Sequence, residues 1–515
     1  MGQKKAECHV VVIGAGIGGL TAAVLLAQAG CRVTVLEAGT YPGGSAGTFY
    51  HKGFRFDAGA TLAGGFQPGG PHALVGEQLG IRWPVRPSET AWMVHLPERQ
   101  VLLHRDRRSL LEHFPHTARF WGQQARLADR VWALAAEALP WPPGDWREAM
   151  RLGGIGLRHL PEALDLLPFA FRSAAQWLAL HDLADDRLFR RMIDAQLLIS
   201  AQTVASEANA LYSAIALDLP RQGVYHVEGG MGGIAQALAD KLRDLGGEVY
   251  YKHKVTRIAV SDSVAGGVHI EARRRSEEYL PADFVIANVT PWSLDQLLAE
   301  DSPPALRREV AGRAIGWGAF VLYVGLDGRA VPSDLPDHHQ IITGMEGPLG
   351  EGRSVFLSLS PVWDASRAPE GFRAMTVTTH TAIAPWWKLL QSDPTAYEAR
   401  KQEYAECLLD AIETVLPGVR RAATLVMPGT PVTYQTWTHR HLGMVGGFPV
   451  VSLLGARGPR TGIRNLRLVG DSIFPGQSTA GVTAGAMRVA RDVLDALPHR
   501  RAQRVFAPQP TRAPR

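Results

Sequence analysis

The sequence has few cysteines and no pattern typical of a metal site. Its three cysteines, Cys8, Cys31 and Cys407, lie far apart in a chain of 515 residues. None belongs to a C-x-x-C pair, and the sequence has neither an H-E-x-x-H motif nor a clustered set of acidic ligands. We therefore expect no metal and no disulfide framework, and a reducing, cytoplasmic setting fits best.

The excess of basic charge is confined to the C-terminus. The net charge is +5. The segment after Pro498 has no acidic residue and accounts for this excess with Arg500, Arg501, Arg504, Arg512 and Arg515. The rest of the chain is near neutral, which argues against a nucleic-acid partner. We expect residues 499–515 to form a disordered, solvated tail, with contact to anionic lipid as the alternative.

Long hydrophobic runs are scarce, and one of them imitates a membrane span. His9–Cys31 holds no charged residue and is long enough for a transmembrane helix. Its glycines, however, cluster between Gly14 and Gly19, which favours a strand, a glycine-rich loop and a buried helix. Met1–Cys8 is short and polar, so we expect no signal peptide.

That stretch opens a complete β-α-β unit. Val10–Ile13 predicts a buried parallel strand, and Leu20–Ala29 predicts a helix that Gly30 ends. Arg32–Leu36 predicts a second strand, followed at once by Glu37. This order is typical of a dinucleotide-binding fold.

The glycine loop of this unit suits a pyrophosphate. Gly14 permits the tight turn, Gly16 lets the backbone approach the ligand, and Gly19 lets the helix pack against the strand. The N-terminus of the helix offers free N–H groups and a partial positive charge. We expect the Glu37 carboxylate to accept hydrogen bonds from the ribose hydroxyls.

The residues after Glu37 favour FAD over NAD. A glycine pair, Gly43-Gly44, follows closely and would bring further backbone N–H groups to the diphosphate. Many two-dinucleotide flavoproteins place an arginine after the pair, whereas this chain has Ser45, which leaves that charge contact in doubt. The pattern around Ser45 also matches G-x-S-x-G, but it lacks the strand-to-helix context that a serine nucleophile needs.

A second glycine-rich joint lies near the other end of the chain. Leu466–Val469 predicts a strand, Gly470-Asp471 follows it, and Ala484–Leu497 predicts a helix. We expect Asp471 to bind the ribitol chain. A helix beginning near Val482 would direct its positive end at the flavin pyrimidine ring.

The middle of the chain supplies further pieces of the same domain. A helix is expected over Ile234–Leu245, strands within Glu248–Val260 and a parallel strand over Ala282–Asn288. Val255 is the candidate for contact with adenine. The complete set of predicted cofactor-binding residues is Gly14, Ala15, Gly16, Gly18, Gly19, Glu37, Ala38, Gly43, Gly44, Ser45, Gly59, Ala60, Val255, Gly470, Asp471, Gly481, Val482 and Thr483.

These segments predict an α/β protein with a discontinuous Rossmann-type FAD-binding domain. That domain would comprise residues 1–115, 225–300 and 455–498. Residues 301–454 would form a mixed-sheet substrate domain, and residues 116–224 a helical insertion that possesses a membrane-contacting surface.

Taken together, the motifs resemble the family of FAD-dependent carotenoid desaturases and isomerases, which is related in fold to amine oxidases. The resemblance spans most of the chain and includes Phe54–Ala60, Glu228–Met231 and Gly470–Gly476. Two stretches, Thr61–His72 and Pro140–Pro143, are similar to the carotenoid 3',4'-desaturase branch.

The resemblance implies dehydrogenation of an allylic C–C bond at a hydroxylated end of an acyclic carotenoid. Flavin N5 would accept a hydride, the polyene would delocalise the cation, and loss of a proton would complete the double bond. No catalytic side chain is identified. The electron acceptor would be a quinone or oxygen.

Two regions fit an apolar substrate drawn from lipid. Seven of the thirteen tryptophans lie between residues 83 and 177. On composition this favours a large core over a ligand-binding lining. In Leu160–Leu180, apolar residues recur at helical spacing, so an ordinary packed helix and an interfacial helix are both open. The resemblance favours the second, and hence a cytoplasmic enzyme peripherally bound to a membrane surface.

Several alternatives remain open at this point. Within the same branch they are a cis–trans isomerase, a phytoene-type desaturase and a retinol saturase; more remote are an amine oxidase and a cofactor-free binding protein. Two histidine clusters, His338-His339 and His439-Arg440-His441, attract attention as titratable groups. For both clusters we favour a surface loop.

Overall fold

The computed structural model describes residues 8–271 and 277–497, with all their side chains except those of residues 161–163. The predicted basic tail, residues 499–515, lies outside the described residues.

The described residues form nineteen strands. In chain order they are β1 His9–Ile13, β2 Arg32–Glu37, β3 Thr48–His51, β4 Phe54–Asp57, β5 Val85–Pro87, β6 Trp92–Leu96, β7 Arg99–Leu103, β8 Tyr225–Val227, β9 Glu248–Tyr251, β10 Lys254–Ser261, β11 Val264–Glu271, β12 Glu277–Pro281, β13 Phe284–Ala287, β14 Gly318–Asp327, β15 His338–Ile342, β16 Ser354–Leu359, β17 Phe372–Thr381, β18 Ala423–Gly429 and β19 Leu466–Leu468.

The described residues also form eighteen α-helices. They are α1 Ile17–Gln28, α2 Pro71–Leu79, α3 Arg108–His113, α4 Ala118–Ala136, α5 Trp146–Arg158, α6 Leu160–Ala170, α7 Ala174–Ala179, α8 Arg187–Ala201, α9 Ala210–Ala216, α10 Leu219–Gln222, α11 Gly232–Asp244, α12 Pro291–Leu298, α13 Pro304–Gly312, α14 Ile383–Ser392, α15 Pro394–Glu413, α16 Val419–Ala422, α17 Pro431–Thr438 and α18 Thr479–Ala496.

A five-stranded parallel sheet is the centre of the nucleotide-binding part. Its strand order is β19-β13-β1-β2-β9, and β1 lies between β13 and β2. The middle residues of β1, Val10–Val12, are fully buried because helix α1 and the three-stranded sheet β10-β11-β12 both pack against the parallel sheet. Strands from three distant parts of the chain therefore pair directly, as the predicted α/β class requires.

Helix α1 is buried on every side rather than inserted in lipid. It contacts α18 and α11, and its residues from Ile17 to Ala27 are all buried. Among the described residues, no helix combines the length and the apolar character needed to cross a bilayer.

A seven-stranded mixed sheet forms the second layer. Its order is β18-β14-β17-β16-β15-β6-β7, and only the β15–β6 pair among these is parallel. Trp92–Leu103, which the sequence prediction groups with the FAD-binding segments, forms β6 and β7 at the edge of this second sheet. The alternation of buried and half-buried residues along β6 suits a strand with one face on the core.

Helices α3 to α10 form a separate layer around an aromatic core. Phe120 and Trp177 are buried there with ring centroids 4.6 Å apart, and Trp121 and Phe189 pack beside them. Three tryptophans of the predicted region, Trp92, Trp121 and Trp177, thus belong to a core, whereas Trp146 is exposed.

The predicted helix over Leu160–Leu180 is two helices. Helix α6 ends at Ala170, and Ser173 caps α7 with a side chain that accepts a hydrogen bond from the Gln176 N–H at 3.2 Å. This local hydrogen bond starts a new helix and breaks the predicted apolar stripe. Leu164 and Phe171 are exposed, whereas Ala174 and Leu178 are buried.

Candidate functional site

A large cavity lies where the carboxyl ends of the parallel strands face the mixed sheet. Its volume is about 1230 Å³, above the range of roughly 300–1,000 Å³ typical of small-molecule sites. The parallel sheet contributes residues that follow β1, β2, β13 and β19, and the mixed sheet contributes Ala319, Val321, Phe356 and Thr378. The cavity is therefore large enough for a dinucleotide and a second ligand.

The first glycine loop joins β1 to α1 at one end of this cavity. Gly14 has a φ of +91°, which disfavours any other residue. A Cβ on Gly16 would lie 2.5 Å from the Asn288 side-chain nitrogen, and a Cβ on Gly19 would overlap the Gly14 carbonyl oxygen. The loop is thus held in a shape that only glycines allow, and the N-terminus of α1 faces the cavity.

Glu37 stands at the end of β2 and organises the backbone around it. One carboxylate oxygen accepts a hydrogen bond from the Ala15 N–H at 2.7 Å, and the other accepts from the Gly39 N–H at 2.6 Å. Each oxygen keeps a second lone pair, and Glu37 lines the cavity. The predicted role at the ribose remains a prediction that this geometry permits.

The glycine pair brings a second loop onto the first. The Gly43 N–H donates to the Ala15 carbonyl oxygen at 2.9 Å, and a Cβ on Gly44 would lie 3.9 Å from the Gly16 Cα. Gly43 and Gly44 have φ values of +116° and +55°. The two loops therefore form one continuous backbone surface on the cavity wall.

The C-terminal motif reaches the same place from the opposite end of the chain. After β19, Gly470 takes a φ of +118° and Asp471 lines the cavity. Helix α18 begins at Thr479, three residues before the predicted start at Val482. The reason is Ser478, whose hydroxyl accepts a hydrogen bond from the Gly481 N–H at 3.1 Å and caps the helix there.

The two motifs converge. A Cβ on Gly18 would lie 2.8 Å from the Val482 side chain and 3.3 Å from the Gly470 Cα. Asn288 lies between them, and its side-chain amide donates to the Gly14 carbonyl oxygen at 3.4 Å. Sequence reasoning missed Asn288 as a site residue, although it is the last residue of a predicted parallel strand, the end at which such sheets bind ligands.

Most of the predicted cofactor-binding residues line the cavity, but four do not. Those that line it are Gly14, Gly16, Gly18, Glu37, Ala38, Gly43, Gly44, Ser45, Gly59, Ala60, Val255, Gly470, Asp471 and Val482. Ala15 is fully buried and its N–H is bound to Glu37. Gly19 packs against Gly14, and the Gly481 N–H donates to the Ser478 hydroxyl that caps α18. Thr483 is buried, and its hydroxyl oxygen lies 3.3 Å from His72 Nδ1.

Arg440 is a functional candidate, although sequence reasoning assigned its segment only to a surface loop. The segment His439-Arg440-His441 lines the cavity, and Arg440 Nη1 lies 2.9 Å from Asp471 Oδ2. Burial lowers the pKa of Arg440, but the charge of Asp471, the neighbouring Tyr434 and the hydrogen bond to Asp471 together raise it overall. A largely buried cation thus enters the site from a distant segment, while the glycine pair is followed by the uncharged Ser45.

The other histidine pair, His338-His339, is not in a surface loop. His338 and His339 lie on β15 in the mixed sheet, and both are buried. His339 Nδ1 lies 2.9 Å from His95 Nε2, and burial lowers the pKa of His338 to about 3. The described residues that line the cavity include neither His338 nor His339. Both histidines have a structural role. Consecutive residues of a strand point to opposite faces of the sheet, and both faces are covered here.

The far end of the cavity is largely apolar. Side chains from the helical layer and the mixed sheet that belong to one hydrophobic cluster line it: Leu62, Ile199, Leu219 and Phe356. Gln202 and His380 are polar residues at the same end, with His380 Nε2 and Gln202 Oε1 3.0 Å apart. A long apolar ligand with a polar group would fit this lining.

The residues at the opposite end of the cavity, around the two glycine-rich motifs, fit FAD. Two helix N-termini, a glycine cradle that side chains would fill, and the Glu37 carboxylate match a diphosphate and a ribose. Groups of three or more residues suited to a metal ion do not occur in the described part of the chain.

Comparison with known proteins agrees with this geometry. A model of the family described as flavin containing amine oxidoreductase matches residues 17–494. The chloroplastic prolycopene isomerase of Daucus carota is 32% identical over 514 residues, which cover 95% of this chain and 80% of that protein. The neurosporene-forming phytoene desaturase of Cereibacter sphaeroides is 25% identical, with 95% of each chain covered.

A solved structure shares the fold. An oxidoreductase from Methanosarcina mazei superposes with a TM-score of 0.65 at 19% identity, over 94% of this chain and all of that one. The family match covers nearly the whole described chain, from within the first glycine-rich motif to beyond the second. The chain therefore belongs to the family of flavin-containing amine oxidoreductases, and it is an FAD-dependent oxidoreductase.

Proposed function

We propose that this enzyme introduces a 3',4' double bond at a hydroxylated end of an acyclic carotenoid. One observation carries the proposal: the cofactor end of the cavity is continuous with a chamber lined by apolar side chains. Such a chamber suits a polyene chain better than a charged substrate. The similarity to carotenoid desaturases and isomerases along nearly the whole chain supports the same substrate class.

The side chains of the protein would bind and orient, while the cofactor supplies the redox chemistry. Bound FAD provides a two-electron acceptor that removes a hydride from an allylic carbon. The loops around Gly16 and Gly44 would hold the diphosphate, and the capped N-terminus of α18 would face the ring system. The apolar end would exclude water and align the reacting C–C bond.

The reaction balances without a protein base of high strength. The substrate loses one hydride and one proton, its C–C single bond becomes a double bond, and the proton passes to solvent. Conjugation stabilises the developing charge. The two electrons then pass to a quinone or to oxygen, which we propose as the terminal acceptor.

Carotenoid cis–trans isomerisation is the second candidate. It is favoured by the 32% identity to a prolycopene isomerase over 95% of this chain. Isomerisation moves no electrons between substrate and acceptor, whereas desaturation reduces one acceptor molecule for each double bond formed.

The two candidates are separated by one assay. Purified enzyme with FAD is mixed with acyclic carotenoids in liposomes, together with a quinone. Desaturation predicts a red-shifted product spectrum and one quinone reduced per double bond. A changed cis–trans ratio without quinone reduction or a new double bond would refute desaturation and support the isomerase.

We also propose that helices α5 and α6 bind peripherally to a membrane. Each exposes one apolar stripe, and together these contain Trp146, Met150, Leu157, Leu160, Leu164, Leu167 and Phe171. Exposed fractions between 49% and 74% are high for side chains of this size in a soluble protein. Burial of these side chains in the lipid interface would recover the hydrophobic free energy that exposure to water costs.

If α5 and α6 contact lipid, one negative charge introduced on their apolar surface should weaken membrane binding. Leu164→Glu should reduce cosedimentation with anionic liposomes at least fivefold, because an ionised carboxylate resists burial in the interface. Val362→Glu, at an exposed apolar residue outside these helices, is the matched control and should bind like the wild type. Equal binding by the Leu164→Glu variant and the wild type would show that this surface does not contact lipid.

A further inference from the structure

The apolar end of the cavity contains a polar pair formed between two layers of the fold. Gln202 is the residue after α8, and His380 lies near the end of β17. Their side chains meet at 3.0 Å, and both residues line the cavity. Placing two hydrogen-bonding side chains in an apolar lining costs free energy, so their polar atoms require hydrogen-bond partners.

The pair stands beside the N-terminus of α18. A Cβ on Gly446 would lie 2.6 Å from the Gln202 Cγ and 2.6 Å from the Gln477 Oε1. Gln477 directly precedes Ser478, which caps α18. Only the backbone of Gly446 therefore separates Gln202 from the residues that begin this helix, which places the pair close to the cofactor end of the chamber.

The orientation of the Gln202 amide determines the tautomer of His380. The Gln202 Nε2 donates to the Ile199 carbonyl oxygen at 3.2 Å, so Oε1 is the atom that faces His380. Because Oε1 can only accept, the His380 Nε2 must carry the proton. Burial lowers the pKa of His380 to about 4. The ring is thus neutral near pH 7, and its Nδ1 is a hydrogen-bond acceptor.

This Nδ1 atom has no partner of its own. Among the described residues, no side chain or backbone group donates a hydrogen bond to Nδ1. Nδ1 does not occur among the fully buried polar atoms without a partner, so it is accessible. Since His380 lines the cavity, Nδ1 is open to a ligand there. Burial is the only cause of the lowered His380 pKa, so no charged neighbour shifts it. A neutral hydrogen-bond donor therefore suits the site better than a cation.

The backbone at Gln202 ends helix α8. Gln202 has a φ of +58°, the left-handed conformation that commonly ends a helix but that residues other than glycine seldom adopt. A glycine would end α8 without this strain, but it would leave His380 without its orienting partner.

We propose that His380 Nδ1 accepts a hydrogen bond from a hydroxyl group of the substrate and that Gln202 is the positioning residue that fixes this acceptor. The pair would thereby select a hydroxylated polyene end over a hydrocarbon end. The inference rests on the proposed substrate class, and it specifies the residues that recognise the hydroxyl.

The test compares two probes that differ by one molecule of water at one end: lycopene and its 1-hydroxy-1,2-dihydro derivative. The wild type should favour the hydroxylated compound by about tenfold in kcat/KM, the ratio expected from one net hydrogen bond between neutral groups. His380→Phe keeps a ring of similar size but no acceptor, and it should bring the preference close to one. Gln202→Leu should lower the preference in the same direction, because the tautomer is no longer fixed.

A control variant and a binding measurement complete the test. Phe356→Leu changes the shape of the same chamber without changing its polarity, so it should alter both substrates alike. Dissociation constants for the two carotenoids, from quenching of tryptophan fluorescence, test recognition without turnover. If neither compound is converted, the proposed reaction fails, yet the ratio of dissociation constants still tests the pair. An equal ratio in the wild type and His380→Phe would overturn the inference.

Discussion

At the scale of single residues, Glu37 links ligand recognition to the local backbone. Its carboxylate already accepts two backbone hydrogen bonds, and it lines the cavity. Glu37→Ala should therefore weaken FAD binding by about 1.5–3 kcal/mol, the usual scale for hydrogen bonds to a charged group. Titration of the apoprotein with FAD, followed by flavin fluorescence, measures this directly.

The control for Glu37 is an acidic residue away from the cavity. Glu98 is exposed in the turn between β6 and β7, so Glu98→Ala should bind FAD as the wild type does. An unchanged FAD affinity in Glu37→Ala would mean that the ribose lies elsewhere in the cavity.

Arg440 carries a second prediction at this scale. Arg440→Ala leaves the Asp471 carboxylate partly buried without its cation, which should lower the free energy of unfolding by about 1–3 kcal/mol. Urea denaturation gives the value. Adding Asp471→Asn removes the unpaired charge, so the double variant should lose less than the two single changes combined. Strict additivity would show that the two side chains do not interact in solution.

At the scale of elements, the start of α18 is the most informative. The Ser478 hydroxyl caps this helix and holds its first turn against the cavity. Ser478→Ala should cost about 1 kcal/mol of stability, the usual value for an N-cap, and it should weaken FAD binding because the first turn loses its orientation. Thermal unfolding and FAD titration measure the two effects.

A matched cap elsewhere separates stability from binding. Ser173 caps α7 in the helical layer, and α7 contributes no residue to the described cavity lining. Ser173→Ala should lower stability by a similar amount and leave FAD affinity unchanged. If both variants weaken FAD equally, the effect of Ser478 comes from stability alone.

At the scale of the whole molecule, buried histidines make stability depend on pH. Burial lowers the pKa to about 3 in His72 and His338 and to about 4 in His339, where the charge of His95 contributes as well. Their unfolded pKa is near 6.5, so only the unfolded state takes up protons between about pH 6.5 and pH 4. Their contribution is complete above pH 6.5 and is lost as the pH falls, by about 1.4 kcal/mol per pH unit for each histidine.

The expected outcome is a Tm that is constant from pH 8 to pH 7 and falls steeply below pH 6.5. His338→Gln removes one titrating group and should make the decline shallower, though the variant is less stable at pH 8 because its burial site is disturbed. A Tm that stays level from pH 7.5 to pH 5 would contradict the assignment of neutral, buried histidines.

The sequence was sufficient wherever local chemistry decided the outcome. Gly14, Gly16 and Glu37 could be assigned to a nucleotide-binding unit because the turn, the close backbone approach and the acid occur within one β-α-β segment. The apolar run of β1 likewise indicated a buried parallel strand. Each of these features depends on the conformational preferences of adjacent residues, which the order of amino acids fixes.

Only the tertiary structure decided which distant segments share a site. Arg440, Gln202 and His380 come from three separate elements, and their sequence neighbourhoods do not distinguish a cavity wall from a surface loop. The strands Trp92–Leu103 also join the second sheet because their buried face matches β15, a partner far away in the chain. Hydrogen bonding and burial between remote segments depend on how the layers pack, and sequence periodicity records the buried face of a strand but not its partner.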